Sequence, residues 1–252
     1  MIKQIPNIFT LLNLICGCIA IVFTLQNGIT IQYDGNLVAL SEKMWMASLF
    51  IGIAAVVDFL DGFVARLFNA TSEMGKQLDS LADVVSFGVA PSMIVYQFLR
   101  ISYVSSEAGV NTSAWLLAPA FIIAAAGAYR LARFNLDTTQ SYGFKGVPIP
   151  ATGLLIASLP LIYWNTNNET LINILTSKWF LYALILLVSG LMVSKLPLMA
   201  LKFKNVTLKD NLPKYLIVGV ALLAAIFLHW LAVPVVFIAY IILSLAFKNK
   251  TT

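Results

Sequence analysis

Four aspartates, arranged in two close pairs, are the residues of this sequence best suited to chemistry. Asp58 and Asp61 are three residues apart, and Asp79 and Asp83 are four apart. Each pair therefore shares one face if its segment is helical. Four carboxylates held together repel one another unless cations lie between them, and ligand sets made only of oxygen favour Mg²⁺, Mn²⁺ or Ca²⁺. The spacing predicts a divalent-metal site between two helix ends, with two ions able to act on a phosphate group.

The residues around these acids are small or cationic. Gly62 and Gly75 remove side chains where a phosphate or a base must approach the backbone, and Ala65 is small for the same reason. Arg66 offers a fixed fork of donors to a phosphate oxygen. The alternative is a buried ionic network, in which the acids pair with Arg66, Lys76, Arg130 and Arg133. The two glycines at this spacing favour the metal site.

The rest of the chain is strongly apolar, with 60% hydrophobic and 11% charged residues among 252 and a mean hydropathy of +0.88. Soluble domains carry about 25% charged residues, so we predict an all-α integral membrane protein forming a single domain over residues 1–252. Hydropathy and helix breakers predict eight transmembrane helices. They lie at about 8–26, 44–66, 79–100, 114–134, 151–165, 179–196, 213–228 and 232–247.

The lysines and arginines predict the orientation. With the N-terminus inside, 13 of the 16 fall on the inner side of the predicted spans and three on the outer side, so both termini and the aspartates are expected to face the cytoplasm. The net charge of +5 is spread over short loops, which does not indicate a nucleic-acid partner. No cleavable signal peptide is evident, and we expect a prokaryotic cytoplasmic (inner) membrane.

A second polar group follows the predicted fourth span. Arg130 and Arg133 share a helix face, and Asn135 and Lys145 come after them. Arginine binds carboxylates and phosphates in a bidentate manner, so one interpretation is that this group binds a carboxylate or a phosphate of a ligand. Cations at a helix end also cap carbonyls and contact lipid headgroups, and the sequence does not show which arginine has which role.

Polar residues also recur at the start of the first span, where Asn7, Thr10 and Asn13 are each three residues apart. Polar side chains in membrane helices form hydrogen bonds between helices, and we interpret these three residues in this way. The alternative is that they line a cleft for lipid headgroups.

The pattern Asp-x2-Asp-Gly-x2-Ala-Arg-x8-Gly-x3-Asp-x3-Asp, from Asp58 to Asp83, resembles the signature of the CDP-alcohol phosphotransferases, with all eight positions present. The resemblance implies a membrane enzyme with a six-helix core, here about 5–196, followed by two additional spans at about 213–247. Such enzymes move a phospho-substituted group from a CDP-linked donor to an alcohol and release CMP. The resemblance also implies bound divalent metal and a homodimer.

The resemblance implies roles for individual residues. The implied metal ligands are Asp58, Asp61 and Asp79, joined by Asp83, which is also the implied general base toward the acceptor hydroxyl. The implied donor-nucleotide contacts are Gly62, Ala65, Arg66 and Gly75. The second polar group, with Arg130, Arg133, Asn135 and Lys145, is left for the acceptor or a phosphate.

Further stretches resemble the phosphatidylserine synthase branch of this family, at residues 5–13, 80–91, 129–135 and 144–153. They imply transfer of a phosphatidyl group from CDP-diacylglycerol to L-serine. The same chemistry on glycerol 3-phosphate, inositol phosphate or choline is the near alternative. A divalent-cation transporter is the alternative from another class, because acids within a membrane also mark ion pathways.

Overall fold

The computed structural model describes residues 5–26, 30–31, 38–39, 43–68, 72–104, 112–137, 143–199 and 208–247. The predicted all-α architecture is confirmed, because almost all of this part of the chain is helical. Its strands form two short antiparallel pairs. The basic residues at the two chain ends and in the 201–207 segment lie outside these ranges.

The described residues of the first half of the chain form six α-helices. They are α1 (Ile5–Gln26), α2 (Met44–Leu67), α3 (Glu73–Asp83), α4 (Ala90–Val104), α5 (Ala114–Leu117) and α6 (Ile122–Leu136). A π-helical segment, Val84–Val89, joins α3 directly to α4, and a 3₁₀ turn, Ala118–Phe121, joins α5 to α6. Between α1 and α2, strand β1 (Thr30–Ile31) pairs with β2 (Val38–Ala39).

In the second half, five α-helices are found within the described ranges. They are α7 (Ile149–Asn165), α8 (Glu169–Leu175), α9 (Lys178–Val193), α10 (Leu208–Leu228) and α11 (Ala232–Ala246). Strand β3 (Gly143–Lys145) precedes α7 and pairs with β4 (Pro197–Met199), which follows α9. Gly146, between β3 and α7, has a φ of +81°, and a Cβ there would meet carbonyl oxygens of Met192 and Ser194. Only glycine therefore fits this turn.

The predicted number of eight membrane-spanning helices is not confirmed. By length and composition, five helical stretches among the described residues can cross a membrane, or six if α8 and α9, which meet at 60°, form one span. All eight predicted segments are apolar helices, but α7 has only 17 residues. The last two predicted spans join into one 36-residue stretch, Asn211–Ala246. A 3₁₀ turn, His229–Leu231, in which His229 has a φ of 49°, separates α10 from α11, and the two helices pack together.

Helix α1 packs closely against the helices that carry the aspartates. It contacts α2, α3, the π-helical segment and α4, and small side chains allow this approach. A Cβ at Gly17 would lie 2.7 Å from the Cα of Ser86, and the Ser86 hydroxyl donates to the carbonyl of Asn13 at 2.9 Å. This contact fixes α1 against the π-helical segment that directly follows α3.

We expect Gly17→Ala to lower the midpoint of thermal unfolding in detergent. The added methyl group cannot fit beside the backbone of Ser86 without a shift of α1, and overpacking of this kind typically costs about 1–3 kcal/mol. Gly52→Ala is the matched control, because a Cβ at Gly52 in α2 meets nothing within 4 Å and alanine is the better helix former. Equal midpoints for the two variants would contradict the tight contact.

Candidate active site

The two aspartate pairs come together between the C-terminal part of α2 and helix α3. Asp58, Asp61 and Asp79 each offer a carboxylate oxygen, and these three oxygens lie within 4.8 Å of one another. Asp58 is also within hydrogen-bonding reach of Asp83. Asp61 and Asp83 are buried, and Asp58 and Asp79 are half-buried. The structure therefore gathers all four carboxylates into one partly enclosed cluster.

Local helix chemistry places the second pair. Ser72 is the N-cap of α3, and its hydroxyl accepts a hydrogen bond from the backbone N–H of Gly75 at 3.0 Å, which is a typical stabilising cap. Asp79 and Asp83 lie one turn apart further along α3, and the π-helical segment begins directly after Asp83. Short π-helical insertions are frequent at functional sites.

Helix α1 contributes donors to the cluster. The Thr10 hydroxyl donates to Asp61 Oδ2 at 2.8 Å, and it also lies 3.1 Å from the Pro6 carbonyl oxygen. The Asn13 amide donates to Asp83 Oδ1 at 3.4 Å. The interpretation of this polar stripe as hydrogen bonding between helices is correct for Thr10 and Asn13, but their partners are the site aspartates themselves. Asn7 and Thr10 also line the cleft beside the cluster, which agrees with the alternative that these residues line a cleft.

The cluster fits a divalent metal ion by the chemistry of its donors, which are all carboxylate oxygens. Buried carboxylates are costly unless they are paired or coordinate a metal. Within the described ranges, no ion pair joins any of the four aspartates to a lysine or an arginine, and the ion pair found there links Lys145 to Asp137. The alternative of a buried ionic network is therefore not the arrangement in this structure, and the cluster can hold a metal ion.

An open cleft of about 520 Å³ lies against the acids, between the ends of α1, α2 and α3. Gly62, Ala65 and Gly75 line it, together with Asp61 and Asp79. The predicted small residues thus border the predicted acids, and the cleft has a volume typical of a small-ligand site.

The glycines of this cleft leave room for polar groups of neighbouring residues. A Cβ at Gly62 would lie 3.5 Å from the Arg66 guanidinium, so this guanidinium lies beside the cleft at Gly62. A Cβ at Gly75 would lie 3.1 Å from the amide oxygen of Asn7. Sequence reasoning did not assign Ser72, Glu73 and Lys76 to the site, although they also line the cleft. These three residues lie between the two acid pairs in the sequence, and this position could have indicated that they belong to the site.

Arg130 and Arg133 have different surroundings. Arg130 is buried, with 5% of its surface exposed, and it lies within electrostatic range of Asp83 and Tyr240. Arg133 donates to the carbonyl oxygens of three residues, namely Val193 at 2.7 Å, Ser194 at 2.9 Å and Lys145 at 3.3 Å. Arg133 thus caps the end of α9, which is the capping role that the sequence left open.

The remaining residues of the second polar group bind within the protein. The Asn135 amide donates to the Ser80 hydroxyl at 2.8 Å, and the Asn135 carbonyl accepts from Lys76 at 3.3 Å. The Lys145 ammonium lies 2.6 Å from Asp137 Oδ2. Asn135 therefore fixes the end of α6 to α3, close to the acids.

The comparisons with known proteins agree with the signature. The sequence profile of the CDP-alcohol phosphatidyltransferases matches residues 3–194. The chain is 37% identical over 193 residues to the CDP-diacylglycerol–serine O-phosphatidyltransferase of Helicobacter pylori, covering 76% of this chain and 70% of that protein. It is 36% identical over 161 residues to the protein of the same name from Bacillus subtilis, covering 64% and 77% respectively. It is 32% identical over 250 residues to the protein of the same name from Mycobacterium leprae, covering 96% of this chain and 72% of that protein. Because the profile covers most of its length, this chain belongs to the CDP-alcohol phosphatidyltransferase family.

Proposed function

We propose that this protein transfers the phosphatidyl group of CDP-diacylglycerol to L-serine, which yields phosphatidylserine and CMP. The observation that carries the proposal is the cluster of carboxylates, with oxygens within 4.8 Å of one another, on a cleft walled by Gly62, Ala65 and Gly75. Membership of the family and the shared name of the relatives support the reaction and the acceptor.

The metal would be held by Asp58, Asp61 and Asp79, with Asp83 beside them. We propose two ions, Mg²⁺ or Mn²⁺, with Ca²⁺ as a further option, because all the ligands are hard oxygens. When bound, such ions neutralise charge on the diphosphate and on the departing CMP.

The nucleotide of the donor would occupy the cleft. Gly62, Ala65 and Gly75 leave its walls open, so the diphosphate can approach the backbone closely. The guanidinium of Arg66 beside Gly62 supplies a fixed pair of donors for a phosphate oxygen. The acyl chains would stay in the membrane, since α1 and α2 beside the cleft expose many large apolar side chains.

Transfer itself needs a base and an oriented alcohol. The serine hydroxyl oxygen attacks the phosphorus that carries diacylglycerol, and the bond from that phosphorus to the bridging oxygen breaks, so that CMP leaves with this oxygen. Asp83 accepts the hydroxyl proton. The Asn13 amide, 3.4 Å from Asp83 Oδ1, orients this buried carboxylate for proton transfer.

The acceptor carboxylate is assigned to Arg130, because it is buried within electrostatic range of the proposed base. The same end of the protein contains Arg133, Asn135 and Lys145. Their hydrogen bonds and ion pair hold the helix and strand ends there in place. A phosphorylated acceptor would call for further cations at this end, whereas one amino-acid carboxylate needs a single arginine.

We also propose the cellular setting. The strong excess of lysine and arginine on one side of the spans supports a site at the cytoplasmic face, and the bacterial relatives agree with a prokaryotic inner membrane. A homodimer rests on the family resemblance alone.

Release of CMP from CDP-diacylglycerol by the purified protein tests the proposal. With Mn²⁺ or Mg²⁺ in detergent, we expect release that depends on L-serine and is absent with glycerol 3-phosphate, inositol, inositol phosphate or choline. Asp79→Ala should abolish it, because it removes one of the clustered carboxylates. Release with another alcohol would refute serine as the acceptor, and metal uptake by sealed vesicles without nucleotide would favour transport.

Asp83→Asn should abolish turnover and leave binding of CDP-diacylglycerol largely intact. The amide has nearly the same shape as the carboxylate but cannot accept the hydroxyl proton, and general bases typically contribute about 10²–10⁴-fold to a rate. Single-turnover CMP formation and equilibrium binding of the donor measure the two effects separately. Loss of donor binding together with turnover would refute Asp83 as the base.

Arg130→Lys and Arg133→Lys should have separable effects. The first should raise the KM for serine about tenfold, or ~1.4 kcal/mol, since lysine cannot form a bidentate contact, while the KM for CDP-diacylglycerol stays the same. The second should lower the unfolding midpoint, because Arg133 binds the carbonyls at the end of α9. If Arg133→Lys raised the KM for serine and Arg130→Lys lowered the unfolding midpoint, the roles assigned to the two arginines would be reversed.

A further inference from the structure

Thr10 is a buried residue of α1 whose hydroxyl has two acceptors within reach. Its oxygen lies 2.8 Å from Asp61 Oδ2 in α2 and 3.1 Å from the Pro6 carbonyl oxygen, one turn earlier in α1. A hydroxyl has a single hydrogen to donate, and a hydrogen bond to a carboxylate is stronger than one to a neutral carbonyl. The hydrogen of Thr10 is therefore directed to Asp61.

The helix that carries this hydroxyl also fixes its position. Threonine has few side-chain rotamers in a helix, and contact with a carbonyl one turn earlier favours one of them. Helix α1 in turn packs against α2 and α3, and its Gly17 lies closely against Ser86. Thr10 therefore presents its hydrogen to Asp61 from a fixed direction.

Asp61 belongs to the three carboxylates whose oxygens lie within 4.8 Å of one another. It is the most enclosed of them, with 7% of its surface exposed, whereas Asp58 and Asp79 are half-buried. Like charges at this distance favour rotation of the carboxylates away from one another. The hydrogen bond from Thr10 opposes that rotation in Asp61, so the carboxylate stays directed into the cluster.

A carboxylate in a fixed orientation affects which ion the cluster prefers. The Thr10 hydroxyl takes up one lone pair of Asp61 Oδ2, so this side chain is less free to turn both oxygens toward one ion. Mg²⁺ demands near-ideal octahedral geometry, whereas Ca²⁺ accepts bidentate carboxylates in a flexible arrangement. The hydrogen bond therefore favours the smaller ion.

We propose that Thr10 is a positioning residue for the metal site: it fixes the Asp61 carboxylate and thereby favours Mg²⁺ or Mn²⁺ over Ca²⁺. Loss of a residue that is hydrogen-bonded to a metal ligand typically lowers the metal affinity by about 10–100-fold. The inference rests on the proposed function, in which Asp61 is a metal ligand.

Binding of Mn²⁺ to the purified protein, without donor or acceptor, tests this role. Electron paramagnetic resonance measures free Mn²⁺, and the Mn²⁺ that is displaced measures the binding of Mg²⁺ and Ca²⁺. Thr10→Val should weaken the binding of Mn²⁺ and Mg²⁺ about tenfold and that of Ca²⁺ less, because valine keeps the shape of threonine but has no donor. Thr10→Ser, which keeps the hydroxyl, should stay near the wild-type affinities.

Thr24→Val is the matched control in the same helix. Thr24 is also buried, and its hydroxyl donates to the Ala20 carbonyl at 2.8 Å. The substitution therefore removes a similar hydroxyl about four turns away from Thr10, and it should leave all three affinities unchanged. Equal losses of Mn²⁺ binding in Thr10→Val and Thr24→Val would overturn the inference, and so would unchanged binding in Thr10→Val. Equal losses for Mg²⁺ and Ca²⁺ would refute the role of Thr10 in selectivity.

Thermal unfolding in detergent gives a second measure of metal binding. A bound ion stabilises the folded state, so Mn²⁺ should raise the unfolding midpoint less in Thr10→Val than in the wild-type protein or in Thr24→Val. An equal rise in all three proteins would contradict the inference. If Thr10→Val does not fold in detergent, Thr10→Ala, which only removes atoms, replaces it in the same titrations.

Failure of the proposed function gives a different pattern. If the wild-type protein binds Mn²⁺ but releases no CMP with serine, the proposed reaction is refuted, while the comparison of Thr10→Val with Thr24→Val still decides the role of Thr10. If the wild-type protein binds no Mn²⁺, with or without CDP-diacylglycerol, the metal site is refuted and the role of Thr10 with it.

Discussion

Electrostatic repulsion among four carboxylates is the constraint on which the rest of this structure depends. An apolar helical protein can gather such charges only if donors and cations compensate for them. The polar start of α1 supplies part of the compensation, through Thr10 on Asp61 and Asn13 on Asp83. The small residues at Gly17 and along the cleft permit this approach. The remaining charge is what a bound divalent cation would balance, so the contacts that hold α1 in place also shape the proposed metal site.

The signature allowed the helices and the acid cluster to be predicted, because spacings of three and four residues place carboxylates on one helix face whatever the tertiary context. The stripe of Asn7, Thr10 and Asn13 was visible too, but its partners are distant in sequence, so its contacts with Asp61 and Asp83 were not. The number of eight spans is not confirmed, because hydropathy shows only that a segment is apolar, whereas α7 is short and a turn joins α10 to α11 in one apolar stretch.

The separation of Arg130 from Arg133 was beyond the reach of sequence reasoning. Both occupy one face of α6, and both carry the same side chain. What distinguishes them is tertiary: Arg133 meets the carbonyls at the end of α9, while Arg130 is enclosed near Asp83 and Tyr240. The neighbouring segments therefore give two arginines of the same chemistry different surroundings. One lies at the end of a helix, and the other lies near the acid cluster.

The π-helical segment Val84–Val89 has a consequence for how the chain can vary in length. An α-helix turns by about 100° per residue, and a π-helical segment accommodates a residue more per turn than an α-helix does. Loss of one residue here would rotate the packed face of α4 relative to the acid-bearing face of α3. Either the core contacts of Phe87 and Ile94 or the alignment of Asp79 and Asp83 would then be lost. This segment should therefore tolerate changes of side chain more readily than insertions or deletions.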